Sequence, residues 1–249
     1  MITSFSIFYF TGNMKLPFFY KEDLQENDSP IVLDEPASKH IIQVLRMEKD
    51  EQLQLTNGRG LIVTVKITDD NRKRCSVEKI SAVQLPPPRK QVQIAISPVK
   101  NSSRFEWFLE KATEIGVTGI IPLICDRTEK TQLKTERLTG ILVSAMLQSQ
   151  QCWLPVLAAP LKFADLITGN KNAVILMAHC EEDQEKILPN AGLIDHGKQT
   201  IVLIGPEGDF TKKEIDFALE HSCIPVSLGE TRLRTETAGM VAAVMLVNL

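Results

Sequence analysis

The chain has 249 residues, 43% hydrophobic and 24% charged, enough for a sizeable core in one or two domains of an ordinary soluble globular protein. Its five cysteines are odd in number, far apart and free of any C-x-x-C, which excludes a disulfide scaffold, argues against a zinc site and fits reduced cytosolic thiols. No run approaches the ~18 apolar residues that span a bilayer, and a net charge of −3 confines any nucleic-acid contact to local basic patches.

In chain order, the opening "MITSFSIFYFTGNMKLPFFY" lacks the basic start and small-residue cleavage site of a secretion signal. Residues 1–13 fit no element and Met14 makes a natural start, so 1–13 are expected to be a non-essential extension or the product of an upstream start codon. "SKHIIQVLRM" reads as a short amphipathic helix. "EQLQLTNGRGLIVTVKIT" reads as strand, Asn57-Gly58 turn and strand, because Asn-Gly between alternating apolar residues is a strong hairpin signal. "RCSVEKISAVQL" is a further strand. Residues 14–85 are therefore expected to form a small β-barrel domain. The prolines of "LPPPR" (Leu85 to Arg89) favour extended backbone and mark a boundary.

Beyond it, strands and helices alternate. "QVQIAISP" is a strand, and "RFEWFLEKATEIG" is a helix closed by Gly116. "TGIIPLIC" is a strand and "TERLTGILVSAMLQSQ" a helix. "NAVILMAH" and "TIVLIG" are strands, "KKEIDFALEHS" a helix, "CIPVSLG" a strand and "TAGMVAAVMLVNL" a helix. This alternation predicts an α/β domain over 86–249, with a mostly parallel sheet. Ligands in such sheets bind at the carboxyl ends of strands, which here carry "AHCEE", "GPEGD" and "LGETRLRTET".

The chain contains no G-x-x-x-x-G-K-[ST], G-x-G-x-x-G, G-x-S-x-G or H-E-x-x-H. In "LIGPEGDFTKKE", Thr211 and Glu214 form a capping box at a helix start. The remaining "GPEGD", with Pro-Glu between two glycines, fits a loop whose backbone approaches something closely, though an ordinary glycine turn explains it too. In "SLGETRLRTETAG", Arg232 and Arg234 can share one side while Leu233 packs inward. Glu236 falls in the first turn of the last helix, where the helix dipole favours a carboxylate. Two such loops at neighbouring strand ends are better explained by one shared ligand than by two accidents.

"LIGPEGDFTKKEI" and "SLGETRLRTETA" closely resemble the signature of the RsmE family, 16S rRNA (uracil-N(3)) methyltransferases of the SPOUT superfamily. "KNSSRFEWFLEKATEIGVTGIIPL", "SAMLQSQQCWLP", "HIIQVLRM" and "LQLTNGRG" continue the likeness over nearly the whole chain from Met14. The resemblance implies a SPOUT methyltransferase domain over 86–249 with a trefoil knot, and a PUA-like, RNA-binding β-barrel over 14–85. It also implies S-adenosyl-L-methionine (SAM) as cofactor, 16S rRNA in the small ribosomal subunit as substrate, a homodimer, a cytoplasmic setting, no membrane and no metal.

Carried onto this sequence, the cofactor residues are Met177, His179, Leu203, Gly205, Pro206, Glu207, Gly208, Ser227, Leu228, Gly229, Leu233, Thr237 and Ala238. Methylation at uracil N3 requires removal of a proton and stabilisation of an anion. Arg234 is the candidate for stabilisation, and Glu236 or Glu207 the candidate for base or for orienting the arginine. Lys39, Arg46, Arg59, Lys100, Arg104 and Arg127 are candidate phosphate contacts, each with a plain solvated charge as its alternative. The sequence departs from the family at Asp209 (usually a second glycine), at Thr231 and at Gln151, where an arginine expected to touch RNA usually stands. Two other readings remain: a SPOUT enzyme acting on another RNA base, and a non-catalytic RNA-binding module.

Overall fold

The computed structural model describes residues 16–181, 185–193 and 198–249; the expected extension at 1–13 lies outside them. Contacts divide the chain into two compact units. One runs through Asn57 and resumes over Leu61–Leu85; the other takes Gly58–Gly60 and Pro86–Leu249.

The first unit comprises β1 (Phe18–Tyr20), β2 (Ile31–Val32), α1 (Glu35–Lys39), β3 (Gln52–Thr56), β4 (Leu61–Asp69) and β5 (Ser76–Gln84). A π-helical turn over His40–Val44 continues α1. Asp34 caps α1 by accepting the Ala37 N–H at 2.8 Å. The sheet order is β1-β3-β4-β5-β2, with β1 parallel to β3 and the other pairs antiparallel. β4 shows why one face closes: Leu61, Val63, Val65 and Ile67 are buried and alternate with half-buried residues. The β3–β4 hairpin forms as expected. However, Thr56 faces Ile62, so its loop is longer than a two-residue turn, and Gly58 and Gly60 both take positive φ (70° and 87°).

The second unit comprises β6 (Gln91–Ile96), α2 (Ser102–Ile115), β7 (Gly119–Ile124), α3 (Thr135–Gln148), β8 (Val156–Leu157), β9 (Leu161–Lys162), α4 (Phe163–Gly169), β10 (Val174–Ala178), β11 (Gln199–Ile204), α5 (Lys212–Glu220), β12 (Ile224–Val226) and α6 (Thr235–Asn248). The sheet is parallel, in the order β12-β10-β11-β6-β7-β8, with β9 also on β7. Its strands are apolar on both faces. Ile94, Ile96, Leu176, Val202 and Ile204 join Phe105, Phe108, Leu142, Ala242 and Leu246 in one core. Ala95, Ile175, Met177, Ile201 and Leu203 join Phe163, Leu166, Phe210 and Ala218 in the other. α2, α3 and α6 thus cover one face, and α4 and α5 the opposite one, as a doubly buried parallel sheet requires. The sequence reading missed α4 and the short strands β1, β2, β8 and β9.

Gly116 ends α2 at φ 100°, the left-handed position expected of it. Gln151 donates from Nε2 to the carbonyls of Thr113 (2.8 Å) and Glu114 (3.1 Å) at that same helix end. Where the family's arginine is expected to touch RNA, this side chain bonds the C-terminal carbonyls of α2.

Candidate active site

Three strand exits build the site, those of β10, β11 and β12. β10 lies between the other two in the sheet, so the two glycine-bearing loops flank the "AHCEE" exit and are not on adjacent strands as the sequence suggested.

The β11 exit is rigid. The capping box at α5 forms: the Thr211 N–H donates to Glu214 Oε2 (2.8 Å), and the Glu214 N–H donates to Thr211 Oγ1 (3.3 Å). Glu214 also accepts the Asp126 N–H at Oε1 (2.9 Å), tying the β7 exit to α5. Arg127 donates from one guanidinium nitrogen to the carbonyls of Gly208 (2.6 Å) and Phe210 (3.4 Å). It braces this loop with an exposed side chain, and the phosphate contact expected of it stays a candidate. A Cβ on Gly205 would stand 3.0 Å from the Phe210 ring, which is itself in the core. That close approach to Phe210 by itself requires glycine there.

Two contiguous cavities open above these exits. The first, about 500 Å³, is walled by His179, Lys186, Ser227, Leu228 and Gly229 among others. Lys186 reaches it because Ile187 bridges to Val226 and extends the sheet edge. The second, about 360 Å³, is walled by Arg104, Gly205, Pro206, Glu207, Asp209 and Arg234 among others. Ala178, Cys180, Arg232, Leu233 and Ala238 line both.

Of the expected cofactor residues, His179, Gly205, Pro206, Glu207, Ser227, Leu228, Gly229, Leu233 and Ala238 reach a cavity wall. Met177 and Leu203 do not; their side chains are 2% and 0% exposed within the core. Gly208 and Thr237 are not wall residues either, and Gly208 meets Arg127 instead. His179 is 8% exposed, and neither ring nitrogen has a hydrogen-bond partner. Burial, and secondarily Lys186, hold its pKa below the ordinary value, against the pull of Asp209 and Glu181. It is therefore neutral near pH 7, with one ring N–H to give and one lone pair to fill.

Beside the second cavity, Arg104 pairs with both expected acids, Glu207 at 3.6 Å and Glu236 at 3.7 Å. The sequence placed Arg104 among phosphate contacts; the fold brings it from the start of α2 into the site. The Glu236 side chain is 8% exposed, and its Oε2 is buried without a partner. Arg234 is exposed on the cavity wall, at the N-cap of α6. Elsewhere, Lys39 pairs with Glu35 (2.7 Å) and Lys100 with Glu129 (3.2 Å), both at the surface. Arg46 is exposed at φ 56°, and Arg59 lies in the β3–β4 loop. Among the described residues no cluster of three or more His, Cys, Asp or Glu is placed to hold a metal ion.

The sequence pattern of the RNA methyltransferase domain matches residues 86–247, and that of the RNA methyltransferase PUA domain matches residues 33–80. The chain belongs to this family of RNA methyltransferases. "Ribosomal RNA small subunit methyltransferase E" of Synechocystis sp. is 32% identical over 213 residues, covering 83% of this chain and 69% of that protein. The protein of the same name from Rickettsia conorii is 27% identical over 231 residues, covering 92% and 94%. A crystal structure of a "probable rRNA-methyltransferase" from Porphyromonas gingivalis superposes with a TM-score of 0.84 at 39% identity, covering 92% of this chain and 95% of that one. A structure from Legionella pneumophila, named as a methyltransferase and solved with the bound cofactor SAM, has a TM-score of 0.78 at 27% identity, covering 94% and 97%. The methyltransferase domain of the family thus spans both cavities and every residue that walls them.

Proposed function

We propose that the chain is a SAM-dependent methyltransferase acting on N3 of a uracil in 16S rRNA. The observation that carries this reading is His179: a buried ring with both nitrogens unpartnered, facing a cavity between three parallel-strand exits in an RNA methyltransferase fold. Leaving such groups unpaired costs on the order of 1–3 kcal/mol, which a bound molecule with its own donors and acceptors recovers. The residues fit SAM: the Ser227, Leu228 and Gly229 loop walls the cavity beside His179, and Leu233 and Ala238 offer apolar surface. When bound there, SAM supplies an electrophilic methyl group.

The adjoining cavity takes the base edge, which must be unpaired or flipped to reach it. Uracil N3 holds a proton at neutral pH; Glu207, on the wall of the second cavity, and Glu236, buried and paired with the wall residue Arg104, are the candidates to accept it. Arg104 orients Glu236 and Glu207. Arg234, on the cavity wall, stabilises the uracil anion. Lys39, Arg46, Arg59 and Lys100 remain candidates for phosphate contact, with the PUA-like unit helping to hold the RNA within the small ribosomal subunit.

A homodimer through α6 is part of the proposal: Val244 on that helix is 44% exposed, and Met240, Val241 and Met245 are half-buried. The strand order β12-β10-β11-β6 supports the trefoil knot that the family resemblance implies. No helix among the described residues is long and apolar enough to cross a membrane, and the proposed setting is the cytoplasm.

The test is single-turnover methylation of 16S rRNA by wild type and Arg234→Ala, with SAM binding measured alongside. Loss of one anion-stabilising donor is expected to slow the chemical step by about 100- to 1,000-fold, with SAM affinity retained. A wild-type rate in the variant refutes the role. A loss that shrinks at low salt reassigns Arg234 to a phosphate contact. Methylation mapped by primer extension to another base supports the wider SPOUT reading, and absence of SAM binding supports the non-catalytic one.

A further inference from the structure

We propose that Asp209 is a positioning residue for the cofactor: its carboxylate latches the β10 exit to the β11 exit and sets the mouth shared by the two cavities. Asp209 sits at φ 62°, in the left-handed region where non-glycine residues are uncommon. From there its side chain folds back across the loop. Oδ1 accepts the N–H of Phe210 at 2.8 Å, and Oδ2 accepts the N–H of Cys180 at 2.8 Å. These two donors belong to different strand exits.

One side of the latch is already anchored. The Asp209 N–H donates to the Pro206 carbonyl (2.9 Å), Arg127 holds the Gly208 carbonyl, and Phe210 is buried in the core. The other side is the exit of β10, which carries His179 and Cys180. Cys180 lines both cavities, and His179 is the buried ring facing the first. Fixing the Cys180 N–H therefore fixes the backbone that aims His179. An ionised acceptor makes a stronger bond to a backbone N–H than a neutral one, so the carboxylate suits this task better than an amide or a bound water. Preorganising the wall in this way lowers the ordering cost of binding.

The inference rests on the SAM reading above, and the experiment separates the two. SAM affinity is measured by calorimetry, and KM for SAM and kcat on 16S rRNA by initial rates, for wild type, Asp209→Asn and Asp209→Gly. Both replacements accept left-handed backbone, so loss of the latch is tested without adding strain. Asparagine keeps one acceptor oxygen where the carboxylate has two, and glycine keeps none. Kd and KM for SAM are expected to rise about three- to tenfold in Asp209→Asn and at least about tenfold in Asp209→Gly. The value of kcat at saturating SAM should fall far less, with no matching drop in unliganded thermal stability. Wild-type affinity in both variants overturns the latch. A fall of kcat and unliganded stability in step with affinity also overturns it, since that marks a general structural residue. A wild-type protein that binds no SAM overturns the cofactor reading itself, and the latch with it.

Discussion

Gly239 lies on the buried side of α6, and a Cβ built there would stand 2.7 Å from Phe108 Cε2 and 2.8 Å from Ile96 Cδ1. Ordinary carbon contacts are about 3.5–4.0 Å, so Gly239→Ala demands a movement of roughly 1 Å between α6 and its neighbours. Phe108 and Ile96 are both 0% exposed and have no free side to yield into. Overpacking of this kind costs about 1–3 kcal/mol. Replacing glycine within a helix returns about 0.8–1 kcal/mol of propensity. The net expectation is a loss between about 0 and 2 kcal/mol, centred near 1, which for a chain of this size lowers the thermal midpoint by roughly 2–4 °C at the centre of that range. Thermal unfolding followed by far-ultraviolet circular dichroism reads this directly. Because Glu236 lies one turn before Gly239, methylation should fall as well. A midpoint equal to or above wild type would refute the packing argument. It would instead fit a role for this glycine in close approach between two subunits, where the substitution alters association and spares the fold.

Two further outcomes follow from groups already described. His179 is held below its ordinary pKa of 6.5, by burial first, so the unfolded chain takes up this proton before the folded one. Its contribution to stability is present above pH 6.5 and is lost as pH falls through the lower folded value. Unfolding free energy should therefore decline more steeply below that pH in wild type than in His179→Gln, and parallel curves in urea titrations across pH would refute it. Val244→Glu places a charge on the exposed face of α6; light scattering should then report a folded monomer, and an unchanged dimer rules this face out as the interface.

What the sequence made legible follows from the range of its signals. Alternating apolar runs located β3 to β7, β10, β11 and β12, and local capping chemistry located the starts and ends of helices at Thr211 and Gly116. The strand-end loops carried most of the cavity wall, because short glycine-bearing turns are read within a few residues. Contacts between distant segments were not readable. Arg104 lies more than 100 positions before Glu236, and only the packing of α2 against α6 brings them together. The bond from Arg127 to the Gly208 carbonyl was unreadable for the same reason, since 81 positions separate them. Strand alternation turns the Met177 side chain, expected to line the pocket, toward the opposite core; of Leu203 only the backbone was expected at the cofactor, and its buried side chain leaves that expectation standing. α4 was missed because "FADLITG" is too short to show a helical period.

The arrangement at Glu236 bears on how an acidic chain can form an anion on its substrate. In the proposed reaction the N3 proton moves from a neutral base to a negative carboxylate. Before the transfer the charge is on Glu236; afterwards it is on the uracil ring, and the sum within the site is unchanged. Arg104, 3.7 Å from Glu236 and 3.6 Å from Glu207, stays between the two acids throughout. Arg234 faces the cavity in which the new charge appears. A cation held in advance by the fold, as Arg104 is by its two ion pairs, avoids part of the solvent reorganisation that the same transfer demands in water. The net charge of −3 is then no obstacle, because the reaction relocates one negative charge toward a waiting arginine and creates none. A buried carboxylate with one oxygen 3.7 Å from Arg104 and the other unpartnered is costly for folding alone. The proposed reaction gives that cost a use, as base or as the group that holds Arg104 beside the cavity.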